Sequence, residues 1–263
     1  MRRTIGVMAQ SLALGLAEFR NLYSLRSWTI GWLVRMLAQV AFFGSIGLLI
    51  HSRADIQYLI IGNAVVIVAL EATIVVLFMA GERFSGTLQL LLTTPTRAIT
   101  VFLGRGLNWI ATGVVTSAIT LVLLPPLFGV PVPPLRLLAC LPVLVVIGIT
   151  AYAYGSFLSG LTLRIPSLDW LVLNVGYLLI MTLAGVNVPV AYWPAGLRAV
   201  AQLLPVTHGL HAIRGILAGA RPAAVLADVG LEVVVAAGWF TAAALSYLWF
   251  VEHARRRGST ALG

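Results

Sequence analysis

Lysine is missing altogether from these 263 residues, so all 17 basic side chains are arginine. The glycine-rich phosphate loop of ATP-driven proteins needs a lysine to hold the β- and γ-phosphates. No G-x-x-x-x-G-K-[ST] sequence exists here, and a membrane domain of this kind, if driven by ATP, must take its nucleotide site from another polypeptide. Cysteine is almost absent as well. Cys140 stands alone in an apolar run, which excludes disulfide frameworks and cysteine-based metal sites within one chain. Charged residues make up only 10% of the chain and acids number eight. No cleavable signal is expected, because residues 1–26 are mixed in polarity and lack a compact apolar centre followed by small residues.

What is present is apolar. Hydrophobic residues account for 60% of the chain and the mean hydropathy is +1.01, outside the range of soluble globular domains. A water-soluble fold has no means of hiding that much apolar surface, whereas a bilayer accepts it directly. The net charge of +9 does not point to nucleic acid, since the arginines lie between apolar runs and form no contiguous basic surface. Anionic lipid headgroups are the expected counter-charge.

A spanning helix needs about 20 predominantly apolar residues. Six runs qualify: Trp28–Ile50, Gln57–Ala80, Ile99–Leu124, Leu135–Leu158, Leu168–Ala184 and Val225–Val251. Pro125-Pro126 is expected to stop the third, and Pro131–Pro134 to continue the break. With both termini cytoplasmic, inner segments hold eleven arginines and outer segments five, with Arg35 left inside the membrane. The positive-inside rule favours that placement, and an even number of spans agrees with it.

Two segments read as neither spans nor solvated loops. Thr4–Arg26 mixes apolar stretches with Glu18, Arg20 and Arg26, as expected of a helix lying in the inner interface, with a disordered tail as the alternative. The other is Val186–Pro222, too apolar for a loop and too broken by Pro189, Pro194, Gly196, Pro205 and Gly209 to cross. Short helices dipping in from outside suit it, provided protein shields their ends. The expected organisation is a single domain: an interfacial helix over 1–27, spans one to five over 28–184, an outer re-entrant segment over 186–222, span six over 225–251 and a cytoplasmic tail over 252–263.

Between spans two and three, residues 81–97 read GERFSGTLQLLLTTPTR, with charge at the start and Pro95 at the end. Leu88, Leu91 and Leu92 share one face. Such a helix suits a groove on a soluble partner or a resting place on lipid, and amphipathicity alone does not choose between them.

The same segment resembles the E-R-x-x-G-T-L-E-x-L-L-x-T-P signature of ABC-2 type transporter permeases, matching it at Glu82, Arg83, Gly86, Thr87, Leu88, Leu91, Thr94 and Pro95, with Gln89 where glutamate is common. A second stretch, Leu183–Pro189 followed by Trp193-Pro194-Ala195-Gly196-Leu197, is similar to the family's S-G-x-x-x-P…L-P-x-W-L. A third, Leu204–Arg214, resembles L-P-x-T-Y-x-x-x-x-x-R, with His208 in place of the tyrosine. The order of the three motifs relative to six spans is kept over nearly the whole chain. The resemblance implies an all-α membrane protein of six spans that pairs, as a homodimer or with a paralogous permease, and works with two copies of a separate ABC ATPase. ATP and Mg would be bound by that partner, and this chain would be no enzyme by itself. Glu82, Arg83, Gly86, Thr87, Leu88, Leu91, Leu92, Thr94 and Pro95 would couple to the ATPase. Thr4–Arg26 would be the connecting helix, and Pro189, Trp193, Pro194, Pro205, His208 and Arg214 would belong to the re-entrant outer gate.

The implied function is outward movement of an amphiphilic substrate, such as a drug, an antibiotic or a lipid, across the inner or plasma membrane. Lipid-linked polysaccharide export is an alternative, and an ion-coupled secondary transporter a more distant one, since Glu71 is the one acid that the runs place well inside the membrane. His208 and His211 are three apart but have no cysteine or carboxylate near in sequence to complete a zinc site. Ser156, Ser159 and Thr162 lack a neighbouring His or Asp for nucleophilic chemistry. Trp28, Trp32, Tyr58, Tyr192, Trp193 and Trp249 fall near span ends, as in an aromatic belt. Arg35 and Glu71 lie about 10–14 Å from the inner boundary at about 1.5 Å per residue. Either the two share a polar contact, or Arg35 snorkels to the headgroups while Glu71 is protonated or faces the path.

Overall fold

The computed structural model describes residues 24–77, 81, 106–162 and 168–257, with isolated positions between 10 and 21. Most of the expected interfacial helix over 1–27, the whole of Glu82–Arg97 and the last residues of the tail lie outside the described residues. Among those described, every regular element is helical. Five helices are long and apolar enough to cross a membrane: α1 (Trp28–Leu49), α2 (Arg53–Leu77), α3 (Asn108–Leu127), α4 (Pro134–Thr162) and, last in the chain, α8 (Pro222–Arg257). The run expected as span five forms α5 (Asp169–Leu183), 15 residues long. At about 1.5 Å per residue it measures about 22 Å, short of a hydrocarbon core about 30 Å thick. Two short helices follow, α6 (Ala195–Leu203) and α7 (Thr207–Ala218).

Helix α2 is the axis of the bundle. It packs against α1, α3 and α4, and nearly every side chain from Ile60 to Ala72 is buried. Helices that are apolar all round are of this enclosed kind. Lipid tails are as apolar as leucine, so hydrophobicity cannot drive this association; close van der Waals packing and interhelical hydrogen bonds must. Small residues supply the closeness. A Cβ on Gly113 of α3 would stand 3.0 Å from the Val68 carbonyl, and one on Gly148 of α4 only 2.9 Å from Ile110. On α1 the buried positions Met36, Val40, Gly44 and Gly47 form one stripe, and Gly44 and Gly47 admit Ile60, Phe128 and Ile56 against the helix. Ser117 of α3 donates to the Ala64 carbonyl of α2 at 2.7 Å, a bond worth about 0.6 kcal/mol in such a setting.

Pro125-Pro126 does not stop α3 where the sequence places its end. The helix runs on to Leu127, with both prolines in its last turn. The prolines fall close enough to the end that few intrahelical bonds are lost, and the orphan carbonyls of the last turn are capped from beyond the helix: Phe128 N–H donates to Leu124 and Pro125, Gly129 to Pro126 and Val130 to Pro125. Gly129 makes this return with φ +71°. Between α1 and α2, His51 takes φ +57° and the Ser52 hydroxyl accepts the Asp55 N–H at 3.2 Å, an N-cap that starts α2.

The connections at 50–52, 128–133 and 184–221 gather at one end of the bundle, since Phe128 meets Gly44 near the first, Tyr58 reaches Gly185, and Arg136 reaches Leu217. We expect Gly113→Leu to overpack the α2–α3 contact by about 1–3 kcal/mol. Thermal unfolding in detergent should show a lower midpoint for this variant, whereas the exposed control Gly238→Ala should show no fall, since its Cβ meets open space and Ala is the better helix former.

Candidate outer hairpin and buried polar seam

The stretch from Gly185 to Ala218 is held by polar bonds to its backbone. Helix α6 ends with carbonyls that its own ladder cannot satisfy. The Thr207 hydroxyl donates to Ala201 O at 2.6 Å and the Trp239 indole N–H of α8 to Leu203 O at 2.8 Å. His208, whose ring is buried, stands with Nε2 3.0 Å from Gln202 O. Two residues later the chain reverses into α7 through Pro205 and Val206. Val206 adopts φ +81°, a costly conformation for a β-branched residue, about 1–3 kcal/mol, which persists only where the surroundings over-determine it.

Glu232 of α8 supplies that constraint. Its carboxylate, fully buried, accepts the N–H of Val206 through Oε1 and of Gly209 through Oε2, both at 2.9 Å. It therefore occupies the N-terminus of α7, where unpaired N–H groups and the helix dipole favour an anion. Gly209 leaves room for Ile147 and for the carboxylate beneath the helix. At the other end, Arg136 Nη1 donates to Leu217 O at 2.6 Å, and Gly219, at φ +81°, lets the guanidinium approach. Helix α7 thus lies between an anion at its positive end and a cation at its negative end.

Arg214, on α7, ties the hairpin to the bundle. Its Nη1 donates to Gly185 O at 2.8 Å, and Nη2 to Tyr58 O at 3.0 Å and Val186 O at 3.3 Å. The guanidinium sits 3.5 Å from the centre of the Tyr58 ring, and the Tyr58 hydroxyl donates to the same Gly185 carbonyl at 2.6 Å. Such a cation–ring contact is worth up to about 2 kcal/mol once desolvated. Gly62 is required beside it, because a Cβ there would strike Val186 O and Arg214. One turn deeper, Asn63 donates to the Asn187 side chain at 2.8 Å.

Further along α2 lies Glu71, with no solvent exposure. The Trp32 indole donates to its Oε1 at 2.9 Å, and the Arg35 guanidinium lies 5.3 Å from the Trp32 ring centre. Trp32 stands between the two charges that the sequence pairs, and the π-helical start of α1 over Trp28–Leu33 carries it there. Thr112 and Thr116 of α3 face the same carboxylate.

Several sequence-derived positions are placed by this geometry. Arg214, His208 and Pro205 all lie in the hairpin, His208 facing Gln202 O and Arg214 facing the bundle. Pro189 precedes a short 3-10 turn at Val190–Tyr192, and Pro194 opens α6. Trp193 lies between them, its carbonyl 3.5 Å from the Arg198 guanidinium. Glu82, Arg83, Gly86, Thr87, Leu88, Leu91, Leu92, Thr94 and Pro95 lie outside the described residues. Trp32 and Tyr58, read from sequence as belt residues, have specific polar partners. Glu232 is the candidate residue that the sequence reading omits: like Glu71 it is fully buried, and an acid seven residues into the run Val225–Val251 is the signal for it. A carboxylate also reaches the histidines, although none is near in sequence: Asp228 Oδ2 is 2.7 Å from His211 Nδ1. Among the described residues no three His, Cys, Asp or Glu side chains gather as a metal site would need.

The profile of the family described as ABC-2 family transporter protein matches residues 51–245, which include α2 to α7 and most of α8. The chain belongs to the ABC-2 transporter family. No curated protein and no solved structure matches it. As an ABC-2 permease with several membrane-length apolar helices, it is a multi-pass membrane protein and the transport component of its system, and membership implies association with an ATPase subunit. In this permease the second and third sequence motifs are the two sides of one junction, Gly185–Asn187 on one and Arg214 on the other.

The two bonds accepted by Glu232 give a graded expectation. Glu232→Gln keeps one acceptor oxygen and turns an NH2 group towards the other N–H. Glu232→Ala leaves both N–H groups unpaired. At about 1.5–3 kcal/mol per charge-assisted bond, thermal midpoints should fall in the order wild type, Gln, Ala. Equal midpoints for all three would mean that the carboxylate does not secure α7.

Proposed function

We propose that this permease is the membrane subunit of an ABC exporter, crossing the membrane six times with both termini cytoplasmic, and moving an amphiphilic, drug-like or lipid substrate outward. In this reading α5 is the fifth crossing, completed by the turn residues at its ends, and α6–α7 is a re-entrant hairpin closing the outer side. The observation that carries it is the side-chain pairing of the hairpin's helix ends: Thr207, His208, Trp239, Glu232 and Arg136 take up backbone groups that lipid could not satisfy. Arg214 then acts as the latch between hairpin and bundle. Because its bonds are to neutral carbonyls and a ring, releasing it breaks hydrogen bonds without separating an ion pair.

The drive comes from two copies of a separate ATPase, which bind ATP and Mg, and the permease acts as a homodimer or with a paralogue. Glu82–Arg97 is the coupling helix, with Leu88, Leu91 and Leu92 as apolar anchors and Glu82 and Arg83 fixing its orientation on the ATPase surface.

Two measurements test this. Hydrolysis should be absent from the isolated permease and present in the co-purified pair. Gly86→Trp and Leu91→Asp should each cut substrate-stimulated ATPase activity at least tenfold or release the ATPase. Full assembly and full transport by both variants would remove the coupling role. For topology, Cys140→Ala provides a cysteine-free background. An impermeant maleimide applied to intact cells should label His51→Cys and Tyr192→Cys, and should reach Leu168→Cys and Glu252→Cys only after permeabilisation. Labelling of Leu168→Cys in intact cells would remove the crossing by α5.

A further inference from the structure

A cavity of about 330 Å³ opens where the α1–α2 turn meets the chain leaving α3, lined by Leu48, Ile56, Phe128 and Val130 with Arg53 and Gln57. Its origin is local. Gly44 and Gly47 draw α1 tightly onto Ile60 and Ile56, and the loop after the prolines folds Val130 back to Pro125. Between these two closures the chain leaves a recess with apolar walls and a polar edge.

Arg53 is exposed, and its guanidinium has no hydrogen-bond or ion-pair partner among the described residues. Asp55, two positions on, lies on another face of the helix and does not line the recess. Arg136 and Arg214, by contrast, donate to backbone carbonyls. The recess lies at the end of two membrane-length helices, the part of a span that meets the headgroups, and beside it Leu48, Leu49 and Ile50 leave an apolar strip exposed. A cation and an amide above apolar walls match a ligand with a phosphate above an acyl chain. A free anion would gain from Arg53 but would leave the walls of Leu48, Ile56, Phe128 and Val130 without a partner.

We infer that this recess binds one anionic glycerophospholipid of the adjoining leaflet, its phosphate on Arg53 and Gln57 and the first acyl carbons against Leu48, Ile56, Phe128 and Val130. A zwitterionic headgroup would bring an ammonium beside Arg53, so phosphatidylglycerol is preferred over phosphatidylcholine. The site holds whether or not the proposed export is correct, because it uses none of the coupling or hairpin residues.

The full-length permease, reconstituted in phosphatidylcholine vesicles containing 2 mol% phosphatidylglycerol with a diazirine near the top of one acyl chain, is illuminated and digested. Label is expected on peptides spanning 48–57 and 128–131. Arg53→Gln should lower it about tenfold, the scale of one lost charge-assisted contact, and Gln57→Trp should fill the mouth and lower it as well. The same diazirine on phosphatidylcholine should label several-fold less, and 50 mM inorganic phosphate should not compete. Label that is unchanged in both variants, or equal for the two lipids, overturns the site as a lipid site. Competition by phosphate would mean an anion site without lipid selectivity and would overturn it equally. Both substitutions are at exposed positions, and an unshifted thermal midpoint separates loss of binding from loss of fold.

Discussion

A backbone N–H or C=O left unpaired in hydrocarbon costs several kcal/mol, and a helix has four of each at its ends. Long spans escape the difficulty by ending in water. In the re-entrant placement proposed for α6 and α7 those two helices could not, and the polar chemistry around them is suited to that constraint. The polar side chains around the hairpin are directed mostly at backbone groups: buried Glu232 at two N–H groups, and Arg136, Arg214, Thr207, His208 and Trp239 at carbonyls. Buried charge here is satisfied by dipoles more than by countercharge, and this removes the need to bury ion pairs with their desolvation cost.

The same economy shapes α2. A helix enclosed on every side gains nothing from the hydrophobic effect in a bilayer, so its contacts depend on closeness, and closeness on glycine in the partner helices. Gly113 and Gly148 act at mid-bundle, and Gly62 of α2 itself makes room at the junction with Arg214. Two carboxylates interrupt the otherwise apolar interior. Glu71 is met by an indole and two threonines, and Glu232 by a helix terminus, so neither stands as a bare charge in the membrane.

Much of the helical architecture is legible from run length and hydropathy, because both report the bilayer's thickness directly. The ends are less so. A Pro-Pro pair normally marks a stop, but α3 carries one through its last turn, where the loop beyond returns N–H groups to the terminal carbonyls of Leu124, Pro125 and Pro126, and nothing in the local sequence announces that return. Arg214 is visible through its motif, yet its partners at Tyr58 and Gly185 come from 156 and 29 positions away. Glu232 is visible only as an acid in an apolar run. The two N–H groups it accepts belong to a turn that hydrophobic periodicity does not describe. The segment Glu82–Arg97 rests on its amphipathic pattern and its motif.

Helix α8 contains 36 residues, about 54 Å at 1.5 Å per residue, nearly twice the hydrocarbon thickness. Near one end it holds Glu232, and at the other it continues through Arg257. Pivoting about its middle, a rod of that length would carry Glu232, about 11 Å from the pivot, sideways by about 1 Å for a tilt of about 5°. A 2.9 Å hydrogen bond stretched by that amount is broken. Any protein that leans on the far end of α8 therefore has mechanical purchase on the turn at Val206, without a signal passing from residue to residue in between.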